Sequence, residues 1–171
     1  MQDVIRIFAE VRKKVPSRLL LVGDGPDRSA CEILTREMKL EQHVRFLGKQ
    51  LELVPILSSS DLMLMPSQSE SFGLSALEAM ACDVPVISSS VGGLPELQVH
   101  GETGYIAEIG DIDTMAKYAV ELLTNDAKRR QFGRAGRSRA VENFDVAKIV
   151  AMYEQYYTEC LAGAPVAAAG K

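Results

Sequence analysis

The segment Pro66-Ser-Gln-Ser-Glu-Ser-Phe-Gly-Leu-Ser-Ala-Leu-Glu-Ala-Met-Ala-Cys82 holds the densest set of groups able to do chemistry. A helix is predicted to begin near Phe72. The backbone N–H groups of Phe72, Gly73, Leu74 and Ser75 then fall in its first turn, where no intrahelical acceptor exists. They sit at the positive end of the helix dipole, and Gly73 lets a ligand approach the backbone closely. Such a helix start suits a phosphate or a sugar hydroxyl. Glu78 is the single charge between Ser71 and Cys82. Its helix is otherwise built of apolar and small residues and reads as buried on most sides. A buried carboxylate needs donors, and the vicinal hydroxyls of a ribose supply two. Glu70 lies just before the helix, where it can face the same pocket. On composition alone a second reading carries equal weight: Glu70 caps the helix and Glu78 is solvated at its edge.

These residues need a frame. Val4, Ile5, Ile7, Phe8, Val11 and Val15 recur at helical spacing and predict a helix over 3–14. Leu19-Leu-Leu-Val22 followed by Gly23-Asp-Gly-Pro26 predicts a buried strand ending in a turn. A charged helix follows from Asp27 to Leu40, then a strand at Val44–Leu47 closed by Gly48, and a short helix over 51–59. Asp61–Met65 is a strand stopped by Pro66. A helix over 73–82, a strand at Pro85–Ser88, and a short helix opened by Gly92-Gly93-Leu-Pro95 come next. The last strand is Gly104–Ala107, and three helices follow at 112–124, 126–142 and 145–161.

Strands that alternate with helices, each nearly continuous in apolar character, indicate a parallel sheet covered on both faces. The predicted fold is therefore α/β, a Rossmann-like doubly wound parallel sheet. Ligands in such folds lie beyond the carboxyl ends of the strands. The Gly- and Ser-rich turns at Gly23–Gly25, Gly48, Ser67–Gly73 and Ser88–Gly93 all fall there. Residues 1–161 form one domain in this reading, and the low-complexity stretch 162–171 is expected to be a disordered tail.

Composition narrows the function. The chain has 171 residues, 47% hydrophobic and 25% charged, which suits one domain with its own core. A net charge of −4 gives no field to draw in nucleic acid or anionic lipid, so an anionic ligand needs a local site. Cys31, Cys82 and Cys160 are odd in number and show no Cys-x-x-Cys spacing, which indicates neither a disulfide framework nor a zinc site. His43 and His100 stand alone, so no metal is expected. Free thiols fit a reducing compartment. The first residues are charged and lack an apolar leader segment, and no apolar run is long enough to span a bilayer. A cytoplasmic protein is expected.

Glu70-x7-Glu78, with Ser69-Glu-Ser-Phe-Gly-Leu74 before it and Glu78-Ala-Met-Ala-Cys82 after it, resembles the signature of the retaining glycosyltransferases of family 4, which have the GT-B fold. The likeness continues through Val22-Gly-Asp-Gly-Pro26, Phe46-Leu-Gly48, Asp61-Leu62, Pro85-Val86, Gly92-Gly-Leu-Pro-Glu96 and Gly101-Glu-Thr-Gly104. The resemblance implies the C-terminal, donor-binding half of such an enzyme. By position, Glu70 binds hydroxyls of the donor sugar at the catalytic centre. Ser71 and the backbone N–H groups of Phe72, Gly73, Leu74 and Ser75 hold sugar hydroxyls and pyrophosphate. Glu78 takes the ribose hydroxyls, and Gly48-Lys49 lies by the base. Gly23 and Gly25 read first as a tight turn and second as ligand contacts, and Gly92 and Gly93 are open between geometry and contact.

Within the family, Ser69–Cys82 and Met152-Tyr-Glu-Gln-Tyr-Tyr157 are most similar to members that move GlcNAc from UDP-GlcNAc to L-malate at the start of bacillithiol biosynthesis. Two other readings stand beside it. One is a family-4 transferase for polysaccharide or lipid with another donor such as GDP-mannose. The other is a non-catalytic nucleotide-binding module. The resemblance implies no cofactor beyond the nucleotide sugar and no essential metal.

Several departures matter. Asp83 stands where relatives commonly have Gly, and is expected to end its helix in a left-handed conformation, which Asp tolerates. The resemblance also implies an acceptor-binding N-terminal domain, and a first, central strand followed by an Arg and a Lys that grip the pyrophosphate. This sequence holds none of these. Arg6, Arg12, Lys13 and Lys14 read as an exposed helix face. In the strand order 3-2-1-4-5-6 the first strand is central, so strands 19–22 and 61–65 must either face a gap or pair directly. Unpaired central edges favour aggregation, and the expectation is a chain of marginal stability that is inactive alone. Tyr153, Tyr156 and Tyr157 fall close together on the last helix. They either pack on their own domain or, as in GT-B enzymes, belong to a helix that crosses to the other one.

Overall fold

Helix α1 (Gln2–Arg12) buries Val4, Ile5, Ile7, Phe8, Ala9 and Val11, more than one narrow stripe can hold. The computed structural model, which describes residues 1–162, shows why: the helix serves two cores. Val4, Ile5 and Phe8 pack with Leu21, Cys31 and Val44, while Ile7 and Val11 pack with Ile87, Met115 and Leu122.

Those cores belong to two parallel sheets. β1 (Leu19–Val22) pairs with β2 (Val44–Gly48), and β3 (Met63–Met65), β4 (Val86–Ser89) and β5 (Gly104–Ala107) pair in that order. β1 and β3 share no ladder, so the two strands face a gap instead of pairing directly. Leu64 of β3 nonetheless touches both cores, and α1 bridges the sheets. β4 is buried along its whole length, as a central strand covered on both faces must be.

The remaining helices are α2 (Arg28–Glu37), α3 (Val54–Ser58), α4 (Leu74–Ala81), α5 (Leu94–Leu97), α6 (Ile112–Thr124), α7 (Asp126–Phe144) and α8 (Val146–Leu161). Two of these helices and one strand are shorter than expected for local reasons. The helix expected to run to Leu40 stops at Glu37, just ahead of Lys39, whose φ is 57°. The helix expected over 51–59 shrinks to five residues, with Pro55 in its first turn. The strand expected from Asp61 begins at Met63, and Asp61 pairs with Arg129 of α7 at 3.2 Å.

Asp83 follows α4 at a φ of 62°, the left-handed conformation expected of it. The sharpest contrast is α8, which buries none of its residues. Tyr153, Tyr156 and Tyr157 are 57%, 45% and 59% exposed, so they do not pack on their own domain. The expected disordered tail lies outside the described residues, apart from Ala162, the C-cap of α8.

Candidate functional site

The loop from Pro66 to Gly73 leaves the carboxyl end of β3 and turns into α4. Gly73 is the N-cap of that helix at a φ of 97°, a conformation open to glycine. The backbone N–H groups of Phe72, Gly73, Leu74 and Ser75 find no acceptor among the described residues, as their place at the helix start requires. Glu70 does not cap the helix. Its Oε1 accepts from the adjacent Ser71 N–H at 3.0 Å, and α4 has no side-chain cap.

Two neighbours shape this loop from behind. Gly92 and Gly93 pass so close to it that a Cβ on Gly92 would overlap the carbonyl of Glu70, and one on Gly93 would come within 2.9 Å of the Cα of Phe72. The Gly93 N–H donates to the Ser71 carbonyl at 3.1 Å. Both glycines therefore serve close backbone approach, which settles their geometric role. Leu94 and Leu97 of α5 fill the space beside Gly73, where a Cβ would lie 2.6 Å from Leu94 Cδ2.

Glu78 follows the second of its two readings and is solvated at the helix edge. α4 buries one face, Ala76, Ala79 and Met80, and the opposite face carries Leu74, Ser75 and Glu78 in the open. Leu74 is 65% exposed. The helix is thus not buried on most sides, and its scarcity of charge reflects short residues against α7 and an uncovered apolar face. The carboxylate of Glu78 is solvated and one turn from Leu74 and Ser75, so it needs no buried partner and is available to a ligand.

A second cluster of turns stands at the carboxyl ends of β1 and β2. The Gly23 N–H donates to the Gly48 carbonyl at 2.8 Å, tying the two turns together. Lys49 is exposed beside them. Arg28 lies over the Phe46 ring at 5.8 Å and pairs with Glu32 at 2.9 Å and Asp24 at 3.5 Å. Its strongest partner is Glu32, whose hydrogen bond raises the guanidinium pKa further. Around Gly23 and Gly25 a Cβ would meet nothing within 4 Å.

A cavity of about 430 Å³ is lined by Met1, Gln2, Asp3 and Arg6 of the chain start, Asp27 at the head of α2, and Pro66–Ser69. Neither Glu70 nor Glu78 lines it. Arg6 is therefore more than an exposed helix face: it borders this cavity, held by Asp3 at 2.8 Å. Arg12 is half-buried with an Nη2 atom 3.5 Å from His43 Nε2, and Lys13 pairs with Glu10. Among the described residues no group of three His, Cys, Asp or Glu gathers as a metal site, and no helix is long and apolar enough to cross a membrane.

Sequence reasoning missed the part played by α7. Arg137 donates to the Ala81 carbonyl at 2.8 Å and lies 3.4 Å from Asp83, closing the C-terminal end of α4. Arg139 donates to the carbonyls of Leu97 and Glu96 at 2.6 and 2.7 Å. Phe144 meets Phe72 edge-on with centroids 5.8 Å apart. The available signal was Gly133 and Gly136, three apart in a helix. Gly133 faces the Asp83 carbonyl with no room for a Cβ, and Gly136 faces Met80.

The profile of glycosyl transferases group 1 matches residues 1–139. The chain belongs to this family. It is 45% identical over 161 residues to the N-acetyl-alpha-D-glucosaminyl L-malate synthase of Bacillus anthracis, covering 94% of this chain and 42% of that protein. Among solved structures, sucrose-phosphate synthase from Thermosynechococcus elongatus superposes with a TM-score of 0.86 at 32% identity, over 95% of this chain and 43% of the other. The Anabaena HepE protein, solved with UDP and glucose, superposes with a TM-score of 0.83 at 25% identity, over 91% and 44%. The chain spans less than half the length of these group 1 relatives. Its split parallel α/β layers are the fold of a GT-B glycosyltransferase domain, as the sequence implied.

Proposed function

We propose that this chain is the donor-binding part of a retaining family-4 glycosyltransferase that moves GlcNAc from UDP-GlcNAc to L-malate, in the cytoplasm, for bacillithiol biosynthesis. The observation that carries the reading is the four free N–H groups of Phe72–Ser75, set between the carboxylates of Glu70 and Glu78. The 45% identity to a GlcNAc–malate synthase and the UDP held by the HepE structure support the choice of donor.

In this reading Glu70, the Ser71 hydroxyl and the Phe72 and Gly73 N–H groups hold sugar hydroxyls, Leu74 and Ser75 the pyrophosphate, and Glu78 the ribose. Gly48-Lys49 reads the base. The bond from the anomeric carbon to the diphosphate breaks and a bond to the malate hydroxyl forms on the same face. The departing phosphate oxygen takes the hydroxyl proton. The protein contributes position and donors aimed at charge that develops on the leaving diphosphate. No divalent metal is required. The acceptor is bound by a part of the enzyme outside these residues.

Calorimetric titration tests this. UDP-GlcNAc binds and GDP-mannose does not, and EDTA leaves the affinity unchanged. Glu78→Gln weakens UDP by about tenfold, since charge-assisted hydrogen bonds to the ribose are lost. Because Glu78 is exposed, thermal stability stays the same. Preference for GDP-mannose overturns the donor assignment. Formation of GlcNAc-malate by these 171 residues alone overturns the placement of the acceptor site.

A further inference from the structure

Helix α5 has four residues, too few to hold itself by its own hydrogen bonds. It carries no basic residue in its last turn, and the carbonyls at a helix end have no intrahelical partner. Arg139 supplies the partner from α7. Its Nε donates to the Leu97 carbonyl at 2.6 Å and its Nη2 to the Glu96 carbonyl at 2.7 Å. The rigid planar fork of a guanidinium suits two adjacent carbonyls, where an ammonium offers a single point of charge.

The other end of α5 touches the loop before α4. The Gly93 N–H donates to the Ser71 carbonyl at 3.1 Å. Leu94 and Leu97 close the space beside Gly73, the left-handed N-cap that aims the free N–H groups. A shift of α5 therefore moves the Ser71 carbonyl and the Gly73 turn together. Arg139 is the side chain that fixes α5 on the opposite side, and Phe144 of the same helix adds an edge-on contact to Phe72.

We propose that Arg139 is a positioning residue for the Glu70–Ser75 loop, acting through α5. It touches no ligand itself. The consequence for donor binding rests on the function proposed above, whereas the mechanical link does not, and the two are measured separately.

Hydrogen exchange reads the link without any ligand. Arg139→Met keeps the apolar stem but removes both donors. The Gly93 amide, bonded to the Ser71 carbonyl, and the Ala76 and Leu77 amides, bonded to the Gly73 carbonyl, lose protection by at least about tenfold, while amides of β1 and β2 keep theirs. Arg139→Lys, which reaches one carbonyl, recovers part of that protection. Titration then reads the consequence. Arg139→Met weakens UDP-GlcNAc by about tenfold, the equivalent of one to two lost hydrogen bonds, and leaves uridine within about twofold. Unchanged protection at Gly93 overturns the proposal, and so does an equal loss for uridine and UDP-GlcNAc. If protection falls but the parent chain binds no UDP-GlcNAc, the positioning role stands and the donor reading fails.

Discussion

Two glycine turns leave the carboxyl ends of strands in this molecule, and they do opposite things. At Gly92-Gly93 a side chain has no room, because the backbone of Glu70–Phe72 lies against it. At Gly23–Gly25 a side chain would meet nothing within 4 Å. The first turn is a packed support for the loop it touches. The second is open, tied by the Gly23–Gly48 backbone bond and by the Arg28 N–H, which donates to the Gly25 carbonyl at 3.1 Å. A glycine after a strand thus carries either of two meanings, and only the neighbouring backbone decides between them.

The largest effect belongs to the packed turn. Gly92→Ala combines a φ of 55° with overlap of a neighbouring carbonyl, and backbone cannot step aside as a flexible side chain does. The loss is expected to exceed about 3 kcal/mol, read as a fall in soluble yield and melting temperature. A fully folded Gly92→Ala protein with unchanged melting would break the comparison at its strongest point. Gly23→Ala is the matched change in the open turn. Its φ of 121° strains any L-residue, but no clash is added, so the expected cost is about 1–2 kcal/mol in denaturant melts.

How much of this was visible in the sequence follows from the range of the interactions. Leu19–Val22, Val44–Gly48, Val86–Ser89 and Gly104–Ala107 were legible as strands because each is an apolar run closed by turn residues, a property of four or five neighbours. The free N–H groups of Phe72–Ser75 were legible for the same local reason. For Glu78 the sequence left burial and exposure equally weighted. α4 lacks the contrast of polar and apolar faces that marks a half-buried helix, since its inner face is Ala76, Ala79 and Met80 and its outer face begins with Leu74. The roles of Gly92 and Arg139 were also hidden, because each acts on backbone far along the chain. For Tyr153, Tyr156 and Tyr157 composition left two readings, and exposure decided against packing on their own domain.

The packed side of the molecule also has a polar corner, which separates packing from charge as the source of its rigidity. Lys128 of α7 pairs with Glu121 of α6, whose Oε1 accepts from the Tyr105 hydroxyl at 2.9 Å. The bond from Lys128 holds the Glu121 carboxyl below its ordinary pKa, against a smaller opposing effect of burial. The same bond, with help from Tyr105, pushes Lys128 from 10.5 up to about 12. A lowered acid stabilises the fold above its ordinary pKa and loses that contribution as pH falls through the lowered value. A raised base contributes below 10.5 and loses the contribution as pH climbs through about 12. The pair is partly exposed, so Glu121→Gln is expected to remove under about 1 kcal/mol near neutral pH and to flatten the acid side of the stability profile. A larger loss would make charge, not packing, the main hold on α7.

The smallest effect on stability is expected at Gly25, and it is the most informative about the open turn. Gly25 precedes Pro26, which restricts it to extended conformations that alanine also adopts. Its φ is not positive, and its space is empty. Gly25→Ala should therefore leave stability unchanged, or raise it by up to about 1 kcal/mol by restricting the unfolded chain. Affinity for UDP is then a separate readout. If Gly25→Ala weakens UDP while melting is unchanged, the open turn is open because a ligand fills it. If UDP affinity also stays the same, the turn serves only to join β1 to α2, and Gly25 makes no donor contact.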